Sequence, residues 1–312
     1  MDNTQEKQNL AAGADGATAP DWAKIREEVH CPLCDYNLRG ISEARCPECG
    51  YRFEWPDLLT RRFYHPYLFE HARRRRVKAF LKTLVRNFHP GEFWTTVRPH
   101  MDMNAAGLFF YWLICAMLAA LPAILTILFP VLDRLWSPRG PPTYTYIWSP
   151  RPPAYSWTES IESVLARDQG QIVLVCLGIA IYPLLSAGAL MLFHESMHRA
   201  KVLPRHVMRI GIYSGDSAVW NGLWILLSVF ILAWDPNPFR RSSALMPWVA
   251  FGILCMFILT TFRIRSAYAS YMKFPNPAGA AILSQIVVFL LLAVSWIPLF
   301  QEGFETFRRL LH

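Results

Sequence analysis

The chain has 312 residues, of which 53% are hydrophobic and 17% are charged, and its formal net charge is +8. Soluble globular domains carry about 25% charged residues, so this composition argues against a wholly soluble protein. The basic residues cluster before the first long apolar block and in two later loops, a distribution that favours anionic lipid headgroups over a nucleic-acid groove.

Residues 1–20 are polar and rich in alanine and glycine. A segment of this composition cannot bury enough apolar surface to fold, so we expect a disordered tail. The tail also lacks the apolar core of a cleavable signal peptide, and we expect the first membrane span to direct insertion instead.

Residues 21–58 contain two Cys-x-x-Cys pairs, formed by Cys31 with Cys34 and by Cys46 with Cys49. This spacing predicts a small β-type zinc ribbon in which the four thiolates hold one structural zinc ion. Because four protein ligands leave no open coordination position, a catalytic zinc is not expected here. A redox dithiol pair and an iron site are the alternatives.

The residue after each cysteine pair is predicted to adopt a positive φ angle. Gly50 suits that conformation after the second pair, and Asp35 tolerates it better after the first pair than a branched residue would. The other cysteines, Cys115, Cys176 and Cys255, fall in apolar blocks. A single cysteine in such a block is usually a small buried hydrophobic residue.

Residues 59–100 are basic and rich in aromatic side chains. Within them, the segment 72–88 repeats apolar residues at three- and four-residue steps with lysine and arginine between, which predicts a basic amphipathic helix ending near His89. We expect this helix to lie among anionic lipid headgroups with its apolar face towards the membrane. A nucleic-acid patch and a localisation signal are the alternatives.

Residues 101–312 are predicted to form a membrane domain of about five spans, because a bilayer-crossing helix needs roughly 20 apolar residues. The five uncharged apolar blocks are Ala105–Leu132, Ile172–Phe193, Ala218–Trp234, Ala244–Phe262 and Ala278–Phe300. With the N-terminus inside, the inner regions 60–100, 194–217 and 263–277 hold 17 lysines and arginines, and the outer regions hold 8. The positive-inside rule therefore predicts a multi-pass protein of the cytoplasmic membrane, with the zinc ribbon in the cytoplasm and the C-terminus outside.

The end of the second block carries His194, Glu195 and His198 in a His-Glu-x-x-His arrangement. On a helix the two histidines share a face and could bind zinc, with Glu195 as the general base of a membrane metalloprotease. A third ligand is needed, and neither His206 nor Asp216 stands out as one. The favoured interpretation is a polar, basic helix end that meets lipid headgroups, and catalysis is the alternative.

None of the five blocks contains an acidic residue, a lysine, an arginine or a histidine. Ion and proton pathways usually need ionisable groups at membrane depth, so a small-solute transporter is a weaker alternative. Asp216 and Asn221 flank the start of the third block, where a helix-capping role is favoured over ligand binding. Polar residues inside the blocks, such as Asn221, Ser186 and Gln285, are expected to make helix–helix contacts.

Two resemblances to known families accompany these patterns. The run Cys-Pro-x-Cys-Asp-Tyr-Asn-Leu-Arg-Gly, followed by Arg-Cys-Pro-Glu-Cys-Gly-Tyr-Arg-Phe, resembles the N-terminal zinc ribbon of planctomycete-type bacterial membrane proteins, which usually have glycine at the position of Asp35. The five spans, and the segment Asn87-Phe-His-Pro-Gly-Glu-Phe-Trp94 that leads into them, resemble the five-span Yip-type membrane domain. The second resemblance implies membrane organisation without catalysis.

The combined prediction is an all-α polytopic membrane protein with no enzymatic activity. Its zinc ribbon would dock a cytoplasmic protein partner, and its spans would anchor the ribbon and support homo-oligomers. The zinc metalloprotease and the transporter are the competing functions.

Overall fold

The computed structural model describes residues 19–59, 65, 67–72, 74–136, 169–196, 202–233, 238–274 and 276–310. Outside the cysteine-rich segment, the described chain is mostly helical. The helices are α1 (Trp55–Leu59), α2 (Arg76–Arg86), α3 (Pro90–Thr96), α4 (Ala105–Trp136), α5 (Gln169–Ser196), α6 (Pro204–Ser214), α7 (Ser217–Ala233), α8 (Pro238–Ser266) and α9 (Pro277–Leu310). A 3₁₀ turn spans Phe69–His71, and a π-helical turn at Ala267–Tyr271 continues α8.

Among the described residues, four helices are long and apolar enough to cross a membrane. The qualifying segments are Ala105–Leu125, Val173–Leu192, Pro247–Tyr271 and Pro277–Val294. They confirm the predicted all-α polytopic membrane fold. The third predicted block forms α7, whose 17 residues rise about 25 Å, less than the roughly 30 Å of a bilayer core. The predicted five spans thus correspond to four full-length candidates and one shorter apolar helix.

The long helices distribute their side chains as lipid-exposed helices do. Phe251 and Phe262 on α8 and Phe289 on α9 are more than half exposed, whereas the polar Ser186 and Gln285 are buried. Gln285 Nε2 lies 3.5 Å from Ser186 Oγ, so these two polar groups face each other between helices. Apolar side chains outside and small polar contacts inside are typical of helices that have lipid as their solvent.

The chain forms two compact units. The first, which we call the ribbon unit, consists of Met1–Ile114, Pro183–Ser217 and Phe257–Phe289, and the second consists of Cys115–Tyr182, Ala218–Met256 and Leu290–His312. The ribbon unit therefore contains the cysteine-rich segment, α1 to α3, α6 and parts of the four longest helices.

In the second unit, a small residue lets α7 approach α4. A Cβ built on Gly222 of α7 would lie 2.7 Å from the Cα of Ala119, so only glycine fits there. On the same helix, Asn221 Nδ2 lies 3.9 Å from the sulfur of Met256 on α8. Asn221 thus makes a contact between helices, as expected for a polar residue inside an apolar block.

In the ribbon unit, the fully buried carboxylate of Asp216 lies at the junction of α6 and α7. Its Oδ2 accepts hydrogen bonds from Asn87 Nδ2 at 2.9 Å and from Tyr111 OH at 2.6 Å. Its Oδ1 pairs with the guanidinium of Arg263. The three donors come from the end of α2, from α4 and from α8, so Asp216 joins three helices to the α6–α7 junction rather than acting as a simple cap.

Arg263 lies one residue beyond the predicted fourth block, but α8 continues past it. The side chain is 1% exposed and sits inside the candidate span Pro247–Tyr271. An ionisable residue therefore does occupy a membrane helix. It is tolerated because the carboxylate of Asp216 neutralises it.

Helix α6 occupies part of the region between the second and third blocks. Gly211 of α6 and Gly215, which directly follows the end of α6, lie four residues apart and meet Ala187 and Pro183, which lie four residues apart on α5. A Cβ built on Gly211 would lie 2.5 Å from the Cβ of Ala187, and one on Gly215 would lie 2.6 Å from the Cα of Pro183. Glycine at both positions thus allows direct contact between the two helices.

We expect Asp216→Asn to lower the free energy of unfolding by about 3–5 kcal/mol, because the substitution leaves the buried guanidinium of Arg263 without a counter-charge. Unfolding of the detergent-solubilised protein by heat and by SDS measures this loss. Adding Arg263→Met should recover part of it.

The control is Asp21→Asn, the same chemical change at an exposed carboxylate, which should leave the stability close to that of the parent. If the two asparagine variants were equally stable, Asp216 would not be the junction that the contacts describe.

Candidate metal centre

The two cysteine pairs form two turns with matching backbone hydrogen bonds. The Asp35 N–H donates to the Cys31 carbonyl, and the Gly50 N–H donates to the Cys46 carbonyl, both at 2.9 Å. The φ angles of Asp35 and Gly50 are 63° and 71°. The predicted positive φ after each pair is therefore confirmed, with Asp35 in a conformation that glycine adopts at lower cost.

The β character of the ribbon is limited to two isolated antiparallel bridges, which pair His30 with Asn37 and Arg45 with Arg52. Around the turns lies a small core that includes Leu33, Leu38, Tyr51, Phe53 and Trp55. A core of this size cannot by itself offset the entropy of ordering the segment, so a bound metal would supply much of its folding free energy.

The turns bring all four sulfurs together. Each Sγ lies within 4.8 Å of the other three, with Cys31 Sγ 3.6 Å from Cys49 Sγ and Cys34 Sγ 3.5 Å from Cys46 Sγ. A tetrahedral ion with metal–sulfur bonds of about 2.3 Å would place its ligands about 3.8 Å apart. The donor set and its spacing therefore fit one tetrahedral metal ion.

The surroundings of the thiols favour their neutral form when no metal is bound. A hydrogen bond with Cys49, and then burial, raises the pKa of Cys31 far above its usual range. Burial raises the pKa of Cys34 to about 12. Four adjacent thiolates therefore need a cation to offset their charge. The backbone N–H groups of Leu33 and Tyr36 contribute part of this stabilisation, because they point towards the sulfurs of Cys31 and Cys34.

The ribbon is attached to the helices of its own unit through the first cysteine turn. The Leu203 N–H donates to the Leu33 carbonyl at 2.8 Å, and His206 Nε2 lies 2.7 Å from the Pro32 carbonyl. Both donors lie at the start of α6. Beside the other turn, Lys273 Nζ donates to the Arg52 carbonyl at 2.9 Å.

His206 is held as a neutral ring of defined tautomer. Burial lowers its pKa to about 3. Because the Pro32 carbonyl only accepts hydrogen bonds, the ring proton resides on Nε2, and Nδ1 accepts from the hydroxyl of Tyr271 at 2.7 Å. The ring therefore connects the cysteine turn to the π-helical turn that follows α8.

The same contacts continue to a buried ion pair. Arg209 donates through Nη1 to the Tyr271 hydroxyl at 3.3 Å and through Nη2 to the Asp102 carbonyl at 2.9 Å. Its Nε lies 2.9 Å from Glu70 Oε1, and neither side chain is exposed to solvent. We call Glu70, Arg209, Tyr271 and His206 the buried chain, since they connect an ion pair to the metal turn.

The other proposed metal ligands were in the His-Glu-x-x-His run. Helix α5 extends through His194 and Glu195, whose side chains are not described, and His198 lies outside the described residues. His206, considered as a further ligand, contacts Pro32 and Tyr271 instead. In the part of the chain that the structure describes, the four cysteines are the one group of three or more such side chains arranged to hold a metal.

The sequence interpretation missed the buried chain. One signal was present: His206, Arg209 and Tyr213 follow a spacing of three and four residues, which places three polar or aromatic side chains on one face of α6. The partners are not readable from that pattern, because Glu70 is separated from Arg209 by more than a hundred residues of sequence.

Fold and site together define a polytopic membrane protein with a cluster of four cysteines that could hold one metal ion. No protein-family model, no curated protein and no solved structure matches this chain. The two family resemblances of the sequence therefore stay predictions, and the function has to be inferred from the geometry itself.

We expect His206→Ala to lower the free energy of unfolding by about 1–3 kcal/mol, because the Pro32 carbonyl loses its donor and the Tyr271 hydroxyl loses the acceptor of its proton. The variant should also release its metal to a chelator faster than the parent, because it lacks the hydrogen bond from His206 to Pro32 that holds the first cysteine turn. A chromogenic chelator measures the rate.

His89→Ala removes an exposed histidine of the same unit and should behave as the parent does. A His206→Ala protein that was less stable but released metal at the parental rate would show that the cysteine turn does not depend on α6.

Proposed function

We propose that the chain is a non-enzymatic membrane scaffold that binds one structural zinc ion and presents its zinc ribbon to a cytoplasmic protein partner. The observation that carries this proposal is the attachment of the first cysteine turn to α6 through Leu203 and His206. A ribbon bonded in this way holds a fixed position beside the membrane helices, as a docking platform requires.

Zinc is the metal that best suits the ligand set. Tetrahedral sites with four sulfurs select zinc or iron, and zinc adds no redox chemistry to a centre whose four positions are all filled. A reducing cytoplasm would keep the thiols available for the metal rather than as disulfides. The excess of lysine and arginine in the predicted inner regions supports that orientation.

The ribbon also retains an accessible face. Pro32 and Leu33 are buried, whereas the loop that follows the first cysteine pair exposes Tyr36, Arg39 and Glu43. Exposed tyrosine and arginine side chains are enriched in protein–protein interfaces. This loop is therefore the surface on which we place the protein partner.

We expect the purified full-length protein to contain one zinc ion per chain, because the four cysteines are the one complete ligand set among the described residues. Elemental analysis of the detergent-solubilised protein measures the ratio. Cys31→Ser should lose the metal, whereas Cys115→Ser, the same change at a cysteine of α4, should keep it.

The double variant with His194→Ala and His198→Ala should also retain one zinc. A second zinc that disappears in this variant would contradict the non-enzymatic function and favour the metalloprotease. Iron in place of zinc, or no metal, would contradict the zinc assignment.

A further inference from the structure

Helix α2 divides its surface into three sectors. The first sector packs against the protein: Phe80, Thr83 and Leu84 are buried. The ring of Phe80 lies 5.4 Å from that of Tyr111 on α4, and Thr83 Oγ1 donates to the Tyr67 carbonyl at 3.0 Å. One side of α2 is thus fixed to the beginning of the first candidate span.

The second sector is apolar and exposed. Val77, Leu81 and Val85 follow each other at four-residue steps, which places them in one row along the helix. Their exposed fractions are 75%, 53% and 55%. We call this row the apolar stripe. The apolar face expected from the sequence is therefore split, and only one part of it contacts the protein.

The third sector is basic. Lys78, Lys82 and Arg86 each follow a stripe residue by one position, which places them about 100° further around the helix. Arg86 and Lys82 lie 4.4 Å and 5.5 Å from the centre of the Tyr67 ring. Because α2 contains no acidic residue, no carboxylate on the same helix offsets the positive charge of this basic row along the edge of the apolar stripe.

We propose that α2 is a docking surface for an anionic phospholipid bilayer, with the apolar stripe among the upper acyl chains and the basic row at the phosphates. Two observations select this occupant. The buried sector packs on Tyr111 in the first candidate span, which places α2 beside a membrane helix. The charges that adjoin the stripe complement anionic headgroups. The lipid belongs to the cytoplasmic leaflet if the ribbon faces the cytoplasm, so this part of the inference rests on the proposed function.

The direct test places the photo-crosslinking residue benzoylphenylalanine at Leu81 of the full-length protein in vesicles that contain phosphatidylglycerol. Illumination should give a lipid adduct at position 81, detected by mass spectrometry of the derived peptide. The same residue at Glu43, on the exposed ribbon loop, should give none. A crosslink from position 81 to a second copy of the chain, or no adduct at all, would overturn the proposal.

A second experiment tests the charge. Phosphatidylglycerol should raise the melting temperature of the detergent-solubilised protein more than phosphatidylcholine does. The variant with Lys78→Gln and Lys82→Gln should lose this difference, and the variant with Lys78→Arg and Lys82→Arg should keep it. Equal responses of the glutamine and arginine variants would contradict a role for the basic row.

These outcomes separate this inference from the scaffold function. One zinc per chain without a lipid adduct at position 81 would overturn the docking surface and leave the scaffold in place. A lipid adduct together with a second zinc at the His194 and His198 pair would support the docking surface and contradict the non-enzymatic scaffold.

Discussion

The buried carboxylate of Asp216 is the constraint on which the ribbon unit depends. A charge without solvent must be compensated by fixed donors, and the donors available are Asn87, Tyr111 and Arg263. Since they belong to three different segments, neutralising this one group sets where α2, α4 and α8 meet. It also fixes the end of α6, because Asn87 donates to the Tyr213 carbonyl as well.

Helix α6, once fixed, connects the membrane helices to the metal centre. Its glycine face contacts α5, and its opposite side presents His206 to the first cysteine turn and Arg209 to Glu70. The eleven residues of α6 therefore take part in three kinds of interaction: close backbone packing on α5, a buried ion pair with Glu70, and a hydrogen bond to the first cysteine turn. In this arrangement the ribbon is part of the folded ribbon unit rather than a separate module on a long linker.

The cysteine cluster, the positive φ angles after each pair and the long apolar helices could all be predicted from sequence, because spacing and periodicity are local properties. The buried chain could not, since Glu70 and Tyr271 are distant in sequence from Arg209. The predicted fourth block ended before Arg263 because a hydropathy pattern stops at a charged residue. The carboxylate of Asp216, at the α6–α7 junction, neutralises Arg263 and allows α8 to continue past it. The split apolar face of α2 was hidden for the same reason: periodicity shows which residues are apolar but not which of them the protein covers.

Hydrogen exchange of the full-length protein, measured before and after the metal is removed by a chelator, tests most directly whether ribbon and α6 fold together. The account predicts that the amides of residues 205–214 lose protection together with those of the cysteine turns, because Leu203 and His206 lose the carbonyls that they contact. Loss of protection confined to the cysteine turns, with α6 unchanged, would contradict the account and make the ribbon an independent domain.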